Sequence, residues 1–363
     1  ERLDHLRFVA AALVVAFHAF HRHVPDLRAD NPLLSLIDEG HTGIGLFMVI
    51  SGFIFTVIAA DATPRYWPFL RNRLLRIYPL YLFGAMLALA IATYNDHRNY
   101  GLLEFLGWLI PYRASTVADA RYFVQLWTIW VEFQFYLVFP FLLLFARRFG
   151  LRYLIGWVAL LIAVRTSVFV LHDSVRFIAY ETIFGRMDQF LIGMLAGFAY
   201  RARPGRFAHP AQLLAAALAV IAAVHAFDRW GGHTAMQSAF WIAWPTLEAL
   251  VWAWLLVAWL DARWRLPPAL ERGLARIGAL SFSIYVMHNL VVALLDRAFG
   301  VLPLAADPIA ASALQAVLVA VPLATLAAVP TWLLIERPFL ALRVPYLQRS
   351  SEQPNPASRG ERP

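Results

Sequence analysis

Residues 42–61 read Thr42-Gly-Ile-Gly-Leu-Phe-Met-Val-Ile-Ser-Gly-Phe-Ile-Phe-Thr-Val-Ile-Ala-Ala-Asp61, with no charge before the last position. A helix rises about 1.5 Å per residue, so about 20 such residues cross the ~30 Å hydrocarbon core of a bilayer. In lipid every backbone N–H and C=O must be satisfied within the segment, and a helix does that. Blocks of the same kind recur on both sides of this one. We place spans at 5–22, 42–61, 76–95, 124–146, 152–171, 180–200, 210–227, 237–260, 274–296 and 309–336. The expected fold is all-α: a polytopic integral membrane helix bundle of about ten transmembrane helices.

Composition agrees. The 363 residues are 61% hydrophobic and 15% charged, against about 45–50% apolar and about 25% charged in soluble chains. The spans are read as one membrane domain over residues 1–345, followed by a disordered cytoplasmic tail over 346–363 whose last residues, from Ser350, are rich in Pro, Ser, Arg and Glu. The first block is kept as a span and not as a signal peptide. It contains His18 and runs into His21-Arg22-His23 where a small-residue cleavage site would stand. Gly101 to Tyr112 is apolar but too short to span, and reads as an interfacial or re-entrant helix on the outer side. No internal repeat is visible, which counts against transporters built from duplicated halves.

There is no cysteine, so disulfides, thiol catalysis and cysteine-ligated metal are excluded. No metal site is read from the remaining residues. All 31 basic residues are arginine, which excludes Schiff-base chemistry on lysine. With ten spans both termini share a face. The loops of that face and the termini hold 21 of the 31 arginines, so both termini are expected in the cytoplasm. The net charge of +8 belongs to those loops; the expected partner is the lipid bilayer, not nucleic acid.

Ionisable residues inside spans are costly and mark function more often than not. Arg7 and His18 are eleven residues apart, which at ~100° per residue returns them to one helix face about 16 Å apart along the axis. Arg7 can be a snorkelling anchor at a helix end, and His18 can be an interhelical hydrogen bond. Glu132, in Leu126-Trp-Thr-Ile-Trp-Val-Glu-Phe-Gln-Phe-Tyr136, enters its span from the outer side and falls at the depth of His18. A carboxylate facing an imidazole in an apolar site would fix its tautomer and raise its basicity, as a general base requires. A structural polar pair is the alternative.

Arg71, Arg73 and Arg76 cluster at the start of the third span. Guanidinium forks suit phosphate oxygens, while the same arginines serve topology. Ser51-Gly52 lies mid-span, where small residues let helices approach closely; packing is the first reading, and Ser51 is also kept as a donor-contacting residue. Arg186, Asp188 and His288 are further buried groups without an assigned role, and Glu336 closes the last span where it can pair with the arginines. Buried His and Glu residues are equally the parts of a proton-coupled membrane transporter, which is the rival reading.

Leu3-Asp-His-Leu-Arg7 with His18, Gly45-Leu-Phe-Met-Val-Ile-Ser-Gly-Phe53, Arg73-Leu-Leu-Arg-Ile-Tyr-Pro79, Leu126 to Tyr136, Ile277-Gly-Ala-Leu-Ser-Phe-Ser-Ile-Tyr-Val-Met-His288 and Glu336-Arg-Pro-Phe339 resemble, in order, the signatures of membrane acyltransferase family 3. The resemblance runs from the first span to the last. It implies a multi-pass enzyme of the bacterial cytoplasmic (inner) membrane that transfers an acyl group, commonly acetyl, from cytosolic acyl-CoA to a hydroxyl of a carbohydrate or glycosylated acceptor. It implies catalytic roles for His18, Glu132 and Arg7, and donor contacts for Arg73 and Arg76. It implies no permanently bound cofactor, acyl-CoA being a substrate. Two departures are noted: His5 stands where the family often has glycine, and Asn72 interrupts a frequent double arginine, leaving open whether Arg71 or Arg73 meets the donor. On this reading the nucleotide docks on Arg71, Arg73 and Arg76. The pantetheine arm reaches His18, which either deprotonates the acceptor or carries the acyl group.

Overall fold

The computed structural model describes residues 1–25, 27–59, 61–96, 106–107, 123–263 and 266–349. In chain order the helices are α1 (Arg2–Phe20), α2 (Pro32–Asp38), α3 (Thr42–Ala59), α4 (Tyr66–Asp96), α5 (Trp127–Phe149), α6 (Arg152–His172), α7 (Arg176–Glu181), α8 (Ile183–Ala202), α9 (Pro210–Arg229), α10 (Phe240–Asp261), α11 (Pro268–Ala279), α12 (Ser281–Phe299) and α13 (Pro308–Leu340). Among the described residues nine of these are long and apolar enough to cross a membrane: α1, α3, α4, α5, α6, α9, α10, α12 and α13. The chain is a multi-pass membrane helix bundle. The span expected at 180–200 corresponds to α8, which has 20 residues. It falls short in apolarity because Arg186, Asp188 and Arg201 lie in it. Most of the interfacial segment expected at 101–112 lies outside the described residues.

α8 is held against α3 by missing side chains. A Cβ on Gly52 would strike the Phe190 carbonyl, and one on Gly193 would strike the Val49 carbonyl. Two helices whose backbones touch in this way need glycine on both surfaces, since lipid supplies no hydrophobic drive to bring them together. The inward face of α8 is buried from Gly185 through Met194, including its charges.

α13 is one long helix with five-residue π segments at Ala316–Ala320 and Trp332–Glu336. A helical proline clashes with the carbonyl four residues back. For Pro322 and Pro338 that carbonyl lies in one of the π segments, where the wider turn makes room. Glu336, buried, is the last residue of the second π segment.

Contacts gather the helix ends. Arg2 at the start of α1 donates to the Ala262 carbonyl beyond α10 at 2.5 Å. Asn72, buried in α4, clamps Val344 beyond α13, donating to its carbonyl at 2.7 Å and accepting from its N–H at 3.0 Å. β1 (Ala62–Pro64) and β2 (Leu347–Arg349) pair antiparallel, Ala62 opposite Arg349. The chain is thus tied to this arginine-rich end through Arg349, past the boundary expected at 345. The segment expected to be disordered beyond it, from Ser350, lies outside the described residues.

Candidate active site

A cavity of about 120 Å³ opens between α1, α3, α4, α5 and α12. At the arginine-rich end it is lined by Arg7, Arg73 and Arg76, midway by Ser51, Glu132 and Tyr136, and beyond these by Thr128 and Tyr285. The i, i+3 spacing of Arg73 and Arg76 puts both on one face of α4. Arg71 is on another face: it is exposed, is not among the lining residues, and its guanidinium points at the Leu342 carbonyl at 3.5 Å. The expectation that Arg71 shares the donor pocket is therefore corrected. Asn72 explains the turn of the helix, because its clamp on Val344 fixes which flank faces outward.

The three lining arginines differ in what already holds them. Arg7 is paired with Asp4 at 2.7 Å, one turn earlier in α1. Arg76 is ion-paired with Glu336, whose second oxygen accepts the Ser283 hydroxyl at 2.8 Å. Arg73 has no carboxylate partner among the described residues. Its guanidinium lies 4.8 Å from the centre of the Phe55 ring and 5.6 Å from that of Phe69, and its Nε is buried with no hydrogen bond among the described residues. A cation so placed is stabilised by ring faces and free to meet an anion. Arg343, which the sequence offered only as a topology signal, stands close by. Partial burial, then the charges of Arg73 and Arg76, push its pKa down to about 10, and Glu336 offsets only part of this.

Glu132 accepts hydrogen bonds at one oxygen from the Ser51 hydroxyl, at 3.1 Å, and from the Tyr136 hydroxyl one turn along α5. No bond joins it to His18 among the described residues, so the expected facing pair of His18 and Glu132 is not formed. Glu132 belongs to the wall of the cavity. Sharing a depth in the bilayer did not bring the two helix faces together.

His18 meets a different partner. Its Nδ1 lies 2.9 Å from the Val14 carbonyl and 3.2 Å from Nε2 of His288. A carbonyl can only accept, so Nδ1 of His18 carries the proton, and Nε2 of the neutral ring keeps its lone pair. The same logic holds for His288, whose Nδ1 donates to the Tyr285 carbonyl at 2.6 Å. Its Nε2 then accepts from His18. Among the described residues this leaves one nitrogen of the pair without a hydrogen bond, Nε2 of His18. Tyr285 connects this pair to the cavity: its ring lines the cavity, its centroid is 5.7 Å from that of His288, and its hydroxyl is tied to Thr128 at 2.7 Å and donates to the Gln125 carbonyl at 2.9 Å.

Residues 1–337 match the acyltransferase domain that defines a protein family. The chain belongs to acyltransferase family 3. It is similar to the exopolysaccharide production protein ExoZ of Rhizobium meliloti, at 28% identity over 311 residues, 83% of this chain and 90% of that protein. It is also similar to the acyltransferase MdmB of Streptomyces mycarofaciens, at 25% identity over 323 residues, 82% of this chain and 80% of that protein. No solved structure matches it. The acyltransferase is thus an O-acyltransferase of the membrane, and the transporter reading is not favoured.

The buried charges of α6, α8 and α10 in the acyltransferase form structural pairs. Arg165, fully buried in α6, donates to Asp188 at 2.9 Å, to the Thr246 hydroxyl at 2.8 Å and to the Ile242 carbonyl at 2.8 Å. Arg186 pairs with Glu248 at 3.4 Å and lies 4.5 Å from the centre of the Tyr180 ring. Together they lace α6, α8 and α10. Removing one partner strands the other charge in the interior, so Arg165→Ala is expected to destabilise the fold by about 3–5 kcal/mol. Denaturant unfolding in detergent micelles should show that loss, whereas exposed Arg152→Ala should stay within about 0.5 kcal/mol of the parent.

Sequence reasoning missed the tie between His18 and His288, and Tyr285 beside them. One signal was available: Tyr285 and His288 are three residues apart on the face of α12 that is buried.

Proposed function

We propose that this enzyme moves an acyl group, most simply acetyl, from acyl-CoA to a hydroxyl of a carbohydrate or glycosylated acceptor, with the arginine-rich end and both termini in the cytoplasm of a bacterial inner membrane. The observation that carries this reading is the cavity that begins among Arg7, Arg73 and Arg76 and ends at Tyr285, against which the His18–His288 pair is set. A thioester with a long arm and a phosphorylated nucleotide fits such a path. The phosphates bind Arg73, with Arg76 held in place by Glu336 and Arg7 by Asp4. The polar collar of Ser51, Glu132 and Tyr136 receives the amides of the arm, the carboxylate accepting an N–H.

At the reacting end, Nε2 of His18 takes the proton of the acceptor hydroxyl as its oxygen attacks the thioester carbonyl. The C–S bond breaks, the ester forms, and the leaving thiolate recovers the proton from the imidazolium. His288, accepting from Nδ1–H, stabilises the charge that His18 gains in this step. Both named relatives suit the substrate class, one by its role in exopolysaccharide production and one as an acyltransferase. The acceptor approaches from the side opposite the donor, where α1 ends.

Mass spectrometry of the host's surface glycans and secreted glycosylated metabolites, with and without the gene, is the direct test. One species should lose a single acyl mass on deletion, and complementation should restore it. Unchanged acylation throughout, together with no acyl-CoA binding to the purified protein, would remove the proposal. Quenching after labelled donor alone should leave no label on His18; an acyl-histidine trapped there would replace direct transfer with a covalent route.

A further inference from the structure

At the end of the bundle opposite the arginines, where α1, α2 and α9 finish, three carboxylates and three imidazoles converge. Glu39 Oε2 is 2.8 Å from His41 Nε2, and Glu39 Oε1 is 3.1 Å from His233 Nδ1. Asp38 Oδ1 is 3.1 Å from His21 Nε2. The donor atoms of Glu39, His41 and His233 all lie within 4.8 Å of one another, and so do those of Asp38, Glu39 and Asp228. Ligands at about 2.1 Å from a tetrahedral zinc stand roughly 3.4 Å apart, so these sets need little movement to close on an ion.

Two features say that the cluster lacks a component. Asp38 is fully buried, and among the described residues neither carboxylate oxygen has a hydrogen bond; Nε2 of His21 and Nδ1 of His41 are also without one. Three carboxylates packed so closely also repel one another unless a cation or protons offset them. No arginine pairs with Asp38, Glu39 or Asp228 among the described residues. The two arginines that end the adjoining segments are engaged elsewhere, Arg22 with Asp296 at 3.6 Å and Arg229 with Asp30 at 2.5 Å. The backbone is shaped to the cluster as well: Gly232 adopts φ +55°, and a Cβ there would collide with Glu39 Oε1.

We infer that Glu39, His41 and His233, with Asp38 and Asp228 beside Glu39 and His21 beside Asp38, bind a divalent transition-metal ion of the zinc or manganese class. Mixed imidazole and carboxylate donors suit those ions. The ion supplies the positive charge that the three carboxylates lack, and it joins α2 to the turn after α9 and to the end of α1. It is a site that the sequence did not suggest, since its residues come from three separate stretches of chain. It stands apart from the acyl-transfer reading and survives if that reading fails.

The test is elemental analysis of the full-length protein, purified in detergent with any affinity tag removed. About one zinc or manganese per chain is expected. After stripping with EDTA, titration with Zn²⁺ or Mn²⁺ should saturate at one equivalent and raise the thermal midpoint by at least about 2–4 °C. Asp38→Asn and His41→Ala should each abolish the uptake; if either fails to fold, His233→Gln, at a half-buried position, serves instead. No saturable uptake by monodisperse wild-type protein would overturn the inference and leave a proton-sharing network. Uptake undiminished in the folded variants would also overturn it, by assigning the ion to another place.

Discussion

His18→Ala is expected to lower acyl transfer by about 10²–10⁴-fold, the usual worth of a positioned general base, while acyl-CoA binding and expression stay at the parent level. The asymmetry follows from where His18 stands. Its ring bonds its own helix at Val14 and one neighbour, His288, and it is not among the residues lining the cavity. Truncation therefore removes the basic nitrogen without changing the wall of the cavity proposed for the donor. Single-turnover transfer of labelled acyl groups in proteoliposomes, beside equilibrium binding of acyl-CoA, separates the two effects. Full acylation by His18→Ala would show that the chemistry is elsewhere.

Arg73→Ala is expected to do the reverse, weakening acyl-CoA binding by roughly 10–150-fold with a smaller effect on the rate at saturating donor. Hydrogen bonds to charged groups are worth about 1.5–3 kcal/mol, and each 1.4 kcal/mol is tenfold in Kd. Arg73 is singled out because Arg7 and Arg76 already hold carboxylates, while among the described residues Arg73 has ring faces and no carboxylate beside it. Arg71→Ala, on the exposed flank of the same helix, should change binding by less than about twofold. Equal losses from the two substitutions would mean that the positive end acts as a diffuse field, and raising the salt would then weaken both alike.

The difference between Arg71 and Arg73 shows how far the sequence could be read. Their shared position before the third span marked both as donor ligands. One residue between them, Asn72, looked like an interruption of a motif. In the folded chain it is a clamp on Val344, and that long-range contact turns Arg73 inward and leaves Arg71 outside. Glu132 and His18 make the same point from the other direction. Hydropathy assigns each a depth, since depth follows from counting residues along a helix. It does not assign a rotation about the helix axis, and rotation decided that Glu132 meets Ser51 and Tyr136 while His18 meets His288.

The charges of α8 show the limit of composition as well. Arg186 and Asp188 keep that helix from qualifying as a span by apolarity, yet both are buried and paired, and the helix lies against α3 through Gly52 and Gly193. A polar helix is tolerated inside a bundle when its partners are also inside.

What the sequence determined by itself was the membrane-spanning helical architecture and the succession of family signatures, because both depend on local properties: runs of apolar side chains long enough for the bilayer, and short motifs read in order. What only the tertiary structure decided was which of the ionisable residues meet. The cavity in which Arg73 has no carboxylate partner among the described residues, the coupling of His18 to His288 through Nδ1, and the convergence of Asp38, Glu39, His41 and His233 each join residues from separate helices or turns. Their contacts depend on helix rotation and on close approach at a few glycines, which neither periodicity nor hydropathy encodes.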